Sequence, residues 1–137
     1  MNRKITIFAA LGCAFIAALW LYPSNSSDTQ TGKPMVKVNV PSDLGSAAGG
    51  KVAFDENCAS CHGKNAAGSN GNGPPLVHKI YEPGHHGDMS FVLAAKKGTR
   101  AHHWRFGNMP PVEGITDTQI KNIIAYVRKL QRANGIE

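Results

Sequence analysis

The motif Cys58-Ala59-Ser60-Cys61-His62 carries the most specific chemistry in this 137-residue chain. Two cysteines about one helical turn apart, followed at once by a histidine, form the C-x-x-C-H pattern of covalent c-type haem attachment. The two thiols can bond the two vinyl groups of a porphyrin, and the histidine reaches the iron from the same side. The sequence therefore predicts one covalently bound haem c, attached through Cys58 and Cys61, with His62 as an iron ligand.

The same cysteine spacing has three other interpretations: a redox-active dithiol, a structural disulfide or half of a zinc site. A thioredoxin-like dithiol needs a strand before the motif and a βαβ pattern around it, and the sequence has neither. A zinc site needs a second pair of ligands at similar spacing. The only other cysteine, Cys13, lies in an apolar segment near the amino terminus. Haem attachment is therefore the favoured interpretation.

An uncharged run of eighteen residues, Ile5 to Tyr22, follows Arg3 and Lys4. As a helix it would extend roughly 27 Å, close to the hydrocarbon thickness of a bilayer, which is about 30 Å. Its bulky aromatic end favours an uncleaved anchor over a signal peptide cleaved near residues 24–26. The preceding positive charges predict a cytoplasmic amino terminus. We therefore expect a single-pass protein of the inner membrane whose remaining chain faces the periplasm.

Residues 1–22, 23–45 and 46–137 form three regions of different composition. The middle region is rich in Ser, Asn, Thr, Gly and Pro, which predicts a flexible linker. The last region has only about 92 residues, and domains that small are often stabilised by a metal, a disulfide or a cofactor. Two long glycine- and proline-rich stretches within it, 63–87 and 99–115, also favour a core completed by a bound group.

Three helices are predicted in the last region, and no internal repeat is visible. The first covers roughly residues 46–57, and the second runs from Asp88, a good N-cap residue, to Gly98. The third begins with a capping box of Thr116 and Gln119. Its apolar residues recur at helical spacing, and they are Ile120, Ile123, Ile124, Val127 and Leu130. The pattern predicts an all-α domain.

With these features the last region resembles a class I cytochrome c. Gly50, Phe54 and Cys58 match the family's lead-in, in which the glycine lets the first helix cross the last at close range. Tyr126 stands where the last helix packs an aromatic ring on that crossing. Pro74 is similar to the proline whose carbonyl accepts the far ring proton of the proximal histidine. The resemblance implies a class I cytochrome c bundle around one covalently bound haem, here preceded by an N-terminal transmembrane helix.

Met109 is the predicted sixth ligand of the haem iron, since methionine opposite histidine raises the reduction potential. It lies in a Met-Pro loop directly before the last helix, and similar loops supply the axial ligand across class I cytochromes. Met89, one residue into the second helix, has apolar packing as its simpler role. Histidine is the alternative sixth ligand, because five others are present besides His62: His78, His85, His86, His102 and His103.

Trp104, Arg100 and Arg105 are predicted to contact the haem propionates. In related cytochromes an aromatic donor near this place often contacts a propionate, and the two arginines would pair with the same carboxylates. The alternative roles are core packing for the tryptophan and surface charge for the arginines.

The histidine pairs His85-His86 and His102-His103 are not required by the resemblance. Imidazole suits copper and other borderline metals, so a second metal site or a role in copper delivery is one interpretation. The other is that solvent-facing histidines tune the surface charge with pH.

Beyond Arg3 and Lys4 the chain has 13 basic and 9 acidic residues, a net charge of +4. This charge is too modest for a nucleic-acid-binding protein, and no aromatic-basic platform is present. Basic side chains instead favour weak, salt-dependent docking of redox proteins. We therefore predict a membrane-anchored electron carrier that is not an enzyme. The alternatives are a haem- or copper-binding accessory or sensor protein, and a fixed electron-relay subunit of a larger oxidoreductase complex.

Overall fold

The computed structural model describes residues 32–137, and this part of the chain is helical. Its α-helices are α1 (Ala48–Asn57), α2 (Ala59–His62), α3 (Asp88–Lys97) and α4 (Asp117–Ala133). Single 3₁₀ turns occur at Gly45–Ala47, Lys64–Ala66 and Lys79–Tyr81. Within residues 32–137 there is no β-strand, only isolated bridges that pair Ser69 with Gly73 and Thr99 with Met109. The predicted all-α class is confirmed for the described residues.

Helices α1 and α4 cross at a glycine. A Cβ atom added to Gly50 would lie 2.0 Å from the carbonyl oxygen of Asn122 and 2.9 Å from Cβ of Tyr126. Beside this contact the ring centroids of Phe54 and Tyr126 lie 5.6 Å apart, and both side chains are fully buried. Only a residue without a side chain allows the two backbones to approach this closely. This is the close crossing that the resemblance implies.

Helix α4 contributes more buried apolar residues to the core than any other described helix, and its boundaries follow from local sequence. The backbone N–H of Gln119 donates to Oγ1 of Thr116 at 3.2 Å, and the backbone N–H of Thr116 donates to Oε1 of Gln119 at 3.0 Å. The predicted capping box is therefore confirmed. The five apolar residues predicted to share one face are all buried, namely Ile120, Ile123, Ile124, Val127 and Leu130.

Asp88 is the first residue of α3 and not its N-cap. Gly87 occupies the cap position with an extended backbone, and the carboxylate of Asp88 accepts a hydrogen bond from Nε of Arg128 at 2.9 Å. The prediction that Asp88 caps the helix is wrong, because the buried guanidinium on α4 competes for its side chain. The acid still lies in the first turn, where the helix dipole favours negative charge.

Residues 32–40 lie against the helical domain, although their composition predicts a flexible linker. The backbone N–H of Met35 donates to the carbonyl oxygen of Ala67 at 3.0 Å. Asn39 and Asn134 exchange two hydrogen bonds between backbone and side-chain amides, of 2.8 and 2.9 Å. These partners lie far away in the sequence, so composition alone does not reveal them. The boundaries of the predicted regions stay predictions.

The apolar run from Ile5 to Tyr22 lies outside the described residues. Among residues 32–137, no helix combines the length and the apolar character needed to cross a membrane. The membrane anchor and its orientation therefore stay predictions.

Candidate functional site

His62 ends helix α2, and its ring is buried. Its Nδ1 lies 2.9 Å from the carbonyl oxygen of Pro74. Because a carbonyl only accepts, Nδ1 carries the proton and Nε2 keeps its lone pair. Burial lowers the pKa of His62, an effect that this hydrogen bond opposes. The imidazole is therefore held neutral and oriented, which is the form that binds a metal ion.

Cys58 and Cys61 carry free thiols on either side of one helical turn. The backbone N–H groups of Cys61 and His62 donate to the carbonyl oxygen of Cys58 at 3.2 and 2.9 Å, which closes the turn. Burial, and then the charge of Cys61, raise the pKa of the Cys58 thiol to about 11. Dithiol oxidoreductases instead lower the pKa of the reactive thiol. The surroundings of Cys58 therefore disfavour thioredoxin-like chemistry.

The loop that carries Pro74 lies directly against the cysteine motif. A Cβ atom added to Gly73 would lie 2.6 Å from the carbonyl oxygen of Cys61. Gly73 and Ser69 also exchange two backbone hydrogen bonds, both of 3.0 Å, which close the loop on itself. The missing side chain at Gly73 lets the loop approach until the Pro74 carbonyl reaches the ring of His62.

Met109 is fixed through its backbone by the start of its own loop. Its N–H donates to the carbonyl oxygen of Thr99 at 3.0 Å, and the N–H of Thr99 donates back at 2.9 Å. Gly98 has a φ of +71°, and a Cβ atom there would lie 2.4 Å from the carbonyl oxygen of Met109. Met89, in contrast, is 64% exposed at the start of α3. The packing role predicted for Met89 is therefore wrong.

The indole N–H of Trp104 is buried and has no acceptor among residues 32–137. Burial raises the pKa of the Tyr81 hydroxyl, and the nearby Trp104 indole lowers it, yet the indole N–H has no hydrogen-bond partner in the described part of the chain. The Trp104 ring packs edge-on against His78 at 5.2 Å between centroids. A buried donor without an acceptor costs about 1–3 kcal/mol. Arg100 and Arg105, from the same loop, are exposed.

Arg128 is a buried cation that the sequence did not single out. Its side chain donates to the carbonyl oxygens of Tyr81 and His86 at 2.7 and 2.5 Å, and it is only 6% exposed. Near the end of a helix, an arginine is normally explained by the helix dipole. Helical spacing could have predicted that Arg128 is buried, because it follows the apolar Ile124 by four residues and so lies on the apolar face of α4.

Both histidine pairs come together in the structure. Nε2 of His85 lies 3.2 Å from Nε2 of His103, and the rings of His102 and His103 lie 4.3 Å apart between centroids. Ring nitrogens of His85, His86 and His103 all lie within 4.8 Å of one another. The sequence marked these residues as possible metal ligands but did not predict that loops eighteen residues apart would join them.

The groups around the cysteine motif fit a covalently bound haem. Cys58 and Cys61 supply two thiols on one turn, and His62 supplies a neutral imidazole with a free Nε2. The unpaired indole N–H of Trp104 is a donor for which a bound carboxylate would be an acceptor. Together, the helical bundle and these groups define a covalent haem-binding domain.

Comparison with known families gives the same result. Residues 46–131 match the family model of cytochrome c, and the chain belongs to the cytochrome c family. The resemblance seen in the sequence is confirmed, and membership implies a covalently bound haem c.

The chain is also similar to subunits of cbb3-type cytochrome c oxidases. It is 37% identical to subunit CcoP of Azospirillum brasilense over 94 residues, which cover 64% of this chain and 30% of the relative. It is 35% identical to subunit FixPc of Rhizobium leguminosarum bv. viciae over 96 residues, which cover 67% of this chain and 30% of the relative. The chain thus spans less than a third of the length of these curated relatives.

Proposed function

We propose that this protein transfers single electrons by means of one c-type haem. Cys58 and Cys61 would attach the haem, and His62 and Met109 would bind its iron. Once bound, the haem supplies a reversible change between ferrous and ferric iron. The observation that carries the proposal is the buried, neutral His62 held by Pro74 directly after two free cysteines, in a chain of the cytochrome c family.

The chain's own residues would hold the iron ligands in place. The Pro74 carbonyl orients the His62 ring and increases its basicity by accepting the Nδ1 proton. The paired backbone bonds with Thr99 hold Met109 at a fixed position. A thioether at the sixth position would favour reduced iron and leave no open site for a substrate. The protein would therefore carry electrons without making or breaking substrate bonds.

The residues around Trp104 would form the propionate end of the site. The buried Trp104 N–H lacks an acceptor among the described residues, and a propionate oxygen would provide one. Arg100 and Arg105 lie exposed on the same loop, where guanidinium groups can pair with carboxylates. This assignment gives the otherwise unfavourable burial of the indole N–H a physical reason.

The sixth ligand can be tested by comparing Met109→Leu with Met89→Leu in the haem-loaded protein. The oxidised wild-type protein should show the weak near-infrared sulfur-to-iron band, and Met109→Leu should abolish it. Met89→Leu is the matched control, because Met89 is 64% exposed and should keep the band. Persistence of the band in Met109→Leu, or its absence from the wild-type protein, would exclude Met109 as the ligand.

Similarity to CcoP and FixPc supports a place beside a cbb3-type cytochrome c oxidase. In this proposal the segment from Ile5 to Tyr22 anchors the protein in the inner membrane, and the haem domain passes electrons in the periplasm. The protein could act as a shuttle between complexes or as a fixed relay subunit. Purification in a mild detergent distinguishes these roles, since a fixed subunit stays with its oxidase at a constant ratio and a shuttle does not.

A further inference from the structure

Three imidazoles from two separate loops meet at a place that the proposed electron-transfer site does not use. His85 and His86 lie just before α3, and His103 lies in the loop that follows it. The Nε2 atoms of His85 and His103 are 3.2 Å apart. Two nitrogens bound to one tetrahedral ion at about 2.0–2.1 Å are about 3.3 Å apart. The observed separation matches that of two ligands on one ion, although it is equally that of an N–H···N hydrogen bond between the two rings.

The hydrogen bonds behind the rings also match a metal site. Nδ1 of His86 lies 2.6 Å from the carbonyl oxygen of Ile80, so it carries the proton and leaves Nε2 with its lone pair. His102 makes the same arrangement, with Nδ1 2.8 Å from the carbonyl oxygen of Arg100. Metal-binding histidines commonly donate their second ring N–H to a backbone carbonyl in this way.

The backbone at the cluster is fixed from the protein core. The guanidinium of Arg128, which is 6% exposed, donates to the carbonyl oxygen of His86 at 2.5 Å. The ring of His86 in turn packs on Tyr81 at 5.2 Å between centroids. At least one of the three imidazoles is thus held in position before any ion binds, which lowers the entropy lost on binding.

The chemistry of the three ligand atoms limits which ions the cluster could bind. A neutral imidazole is the ligand form, whereas a cluster of imidazolium groups would repel a cation. The ligand set contains nitrogen only, which suits copper, zinc and nickel ions and not magnesium or calcium, since these two prefer oxygen ligands.

We propose that His85, His86 and His103 bind one divalent transition-metal ion of the copper or zinc type, at a site separate from the haem. Three imidazole ligands leave a fourth position for water or for the adjacent His102. An open position of this kind lets the ion exchange or accept an outside ligand. This site rests on the proposed function in one respect, since none of its three histidines can also be the sixth ligand of the haem. The near-infrared band of the Met109→Leu variant tests the sixth ligand, and metal titration tests this site, so the two proposals can fail separately.

Metal titration of the haem-loaded protein tests this site. Zn²⁺ or Cu²⁺ alone is added in competition with a chromophoric chelator, and the bound metal is counted after dialysis. We expect one ion per chain with a dissociation constant in the micromolar range or below. His85→Gln and His103→Gln should each weaken binding by about tenfold or more, and the copper-loaded protein should show nitrogen hyperfine coupling in its electron paramagnetic resonance spectrum.

His78→Asn is the matched control. His78 is outside the cluster, and its Nδ1 accepts the backbone N–H of Ile80 at 3.2 Å, a bond that an asparagine oxygen can replace. This variant should bind the ion as the wild-type protein does, and the haem spectrum should stay unchanged in every titration. Absence of stoichiometric binding at micromolar metal overturns the proposal. So does an affinity that is unaffected by His85→Gln and His103→Gln, or a haem spectrum that changes in step with metal binding.

Discussion

Arg128, on helix α4, stabilises the loop between Leu76 and Asp88 by donating hydrogen bonds to its carbonyl oxygens. Its guanidinium donates to the carbonyl oxygen of Tyr81 at 2.7 Å and lies 4.8 Å from the ring centroid of Phe91. The neighbouring Gln131 adds a donated bond to the carbonyl oxygen of Leu76 at 2.8 Å. A loop with little regular structure must satisfy most of its buried carbonyls with side chains, and here α4 supplies the donors.

Replacing Arg128 with methionine should therefore destabilise the protein. Arg128→Met keeps the apolar stem but leaves the carbonyl oxygen of His86 without its donor and that of Tyr81 with only the Gln131 amide. We expect the free energy of unfolding to fall by about 2–4 kcal/mol, measured by chemical denaturation of the haem-loaded protein. Arg132→Met, at an exposed position on the same helix, should change it by no more than about 0.5 kcal/mol. Equal effects of the two substitutions would show that the buried hydrogen bonds contribute little.

Among the elements, α4 is the one that could be predicted almost completely. Its capping box and its apolar spacing depend only on neighbours along the chain, so both are visible in the sequence. The cap of α3 depends instead on Arg128, forty residues away from Asp88. The position of residues 32–40 depends on Asn134 in the same way. The sequence was sufficient where the interacting residues are neighbours along the chain. It was insufficient where a side chain far away in the sequence makes the deciding contact.

The candidate site shows the same division. The motif from Cys58 to His62 was identifiable because covalent haem attachment requires two cysteines and a histidine at this spacing. The family resemblance added Pro74, and the structure shows its carbonyl 2.9 Å from the ring of His62. The cluster of His85, His86 and His103 was visible only as residue types, since no periodicity specifies how two loops approach each other. Its geometry required the fold.

The close crossing of α1 and α4 predicts that adding a single methyl group at Gly50 destabilises the protein. Gly50→Ala places Cβ 2.0 Å from the carbonyl oxygen of Asn122, a backbone atom that cannot move without shifting α4. We expect a loss of about 1–3 kcal/mol or more in the free energy of unfolding. Gly49→Ala is the control from the same helix, because nothing lies within 4 Å of its Cβ position.

The control should be neutral or stabilising by up to about 1 kcal/mol, since alanine favours helix more than glycine does. Thermal unfolding of both haem-loaded variants, followed by circular dichroism, measures the difference. If both variants melt at the wild-type temperature, the two helices do not cross as closely as the structure indicates.

Over the whole molecule, the basic residues near the Met109 loop are not equally available for docking. Lys96 forms a salt bridge with Asp117 on α4, which offsets part of its charge. Lys97, Arg100 and Arg105 are exposed. Lys97 comes shortly before Thr99, and both arginines lie between the bridged residues Thr99 and Met109 in the sequence. If the haem edge opens beside this loop, these three cations determine which redox partners approach fastest.

The electrostatic effect of these three cations can be tested with two small redox complexes of opposite charge, so no known protein partner is required. Oxidation of the reduced protein by anionic hexacyanoferrate(III) should slow several-fold as ionic strength rises, because the screening length shrinks from about 30 Å at 0.01 M to about 3 Å at 1 M. Oxidation by a cationic cobalt(III) phenanthroline complex should instead become faster as ionic strength rises.

The charge variants Lys97→Gln and Arg105→Gln should each lower the rate of oxidation by the anionic complex at low salt. Lys51→Gln removes the same charge from α1, where Lys51 pairs with Asp55, and should lower that rate less. Stopped-flow rates that do not depend on salt, or that fall equally in all three variants, would show that this cationic loop does not steer electron transfer.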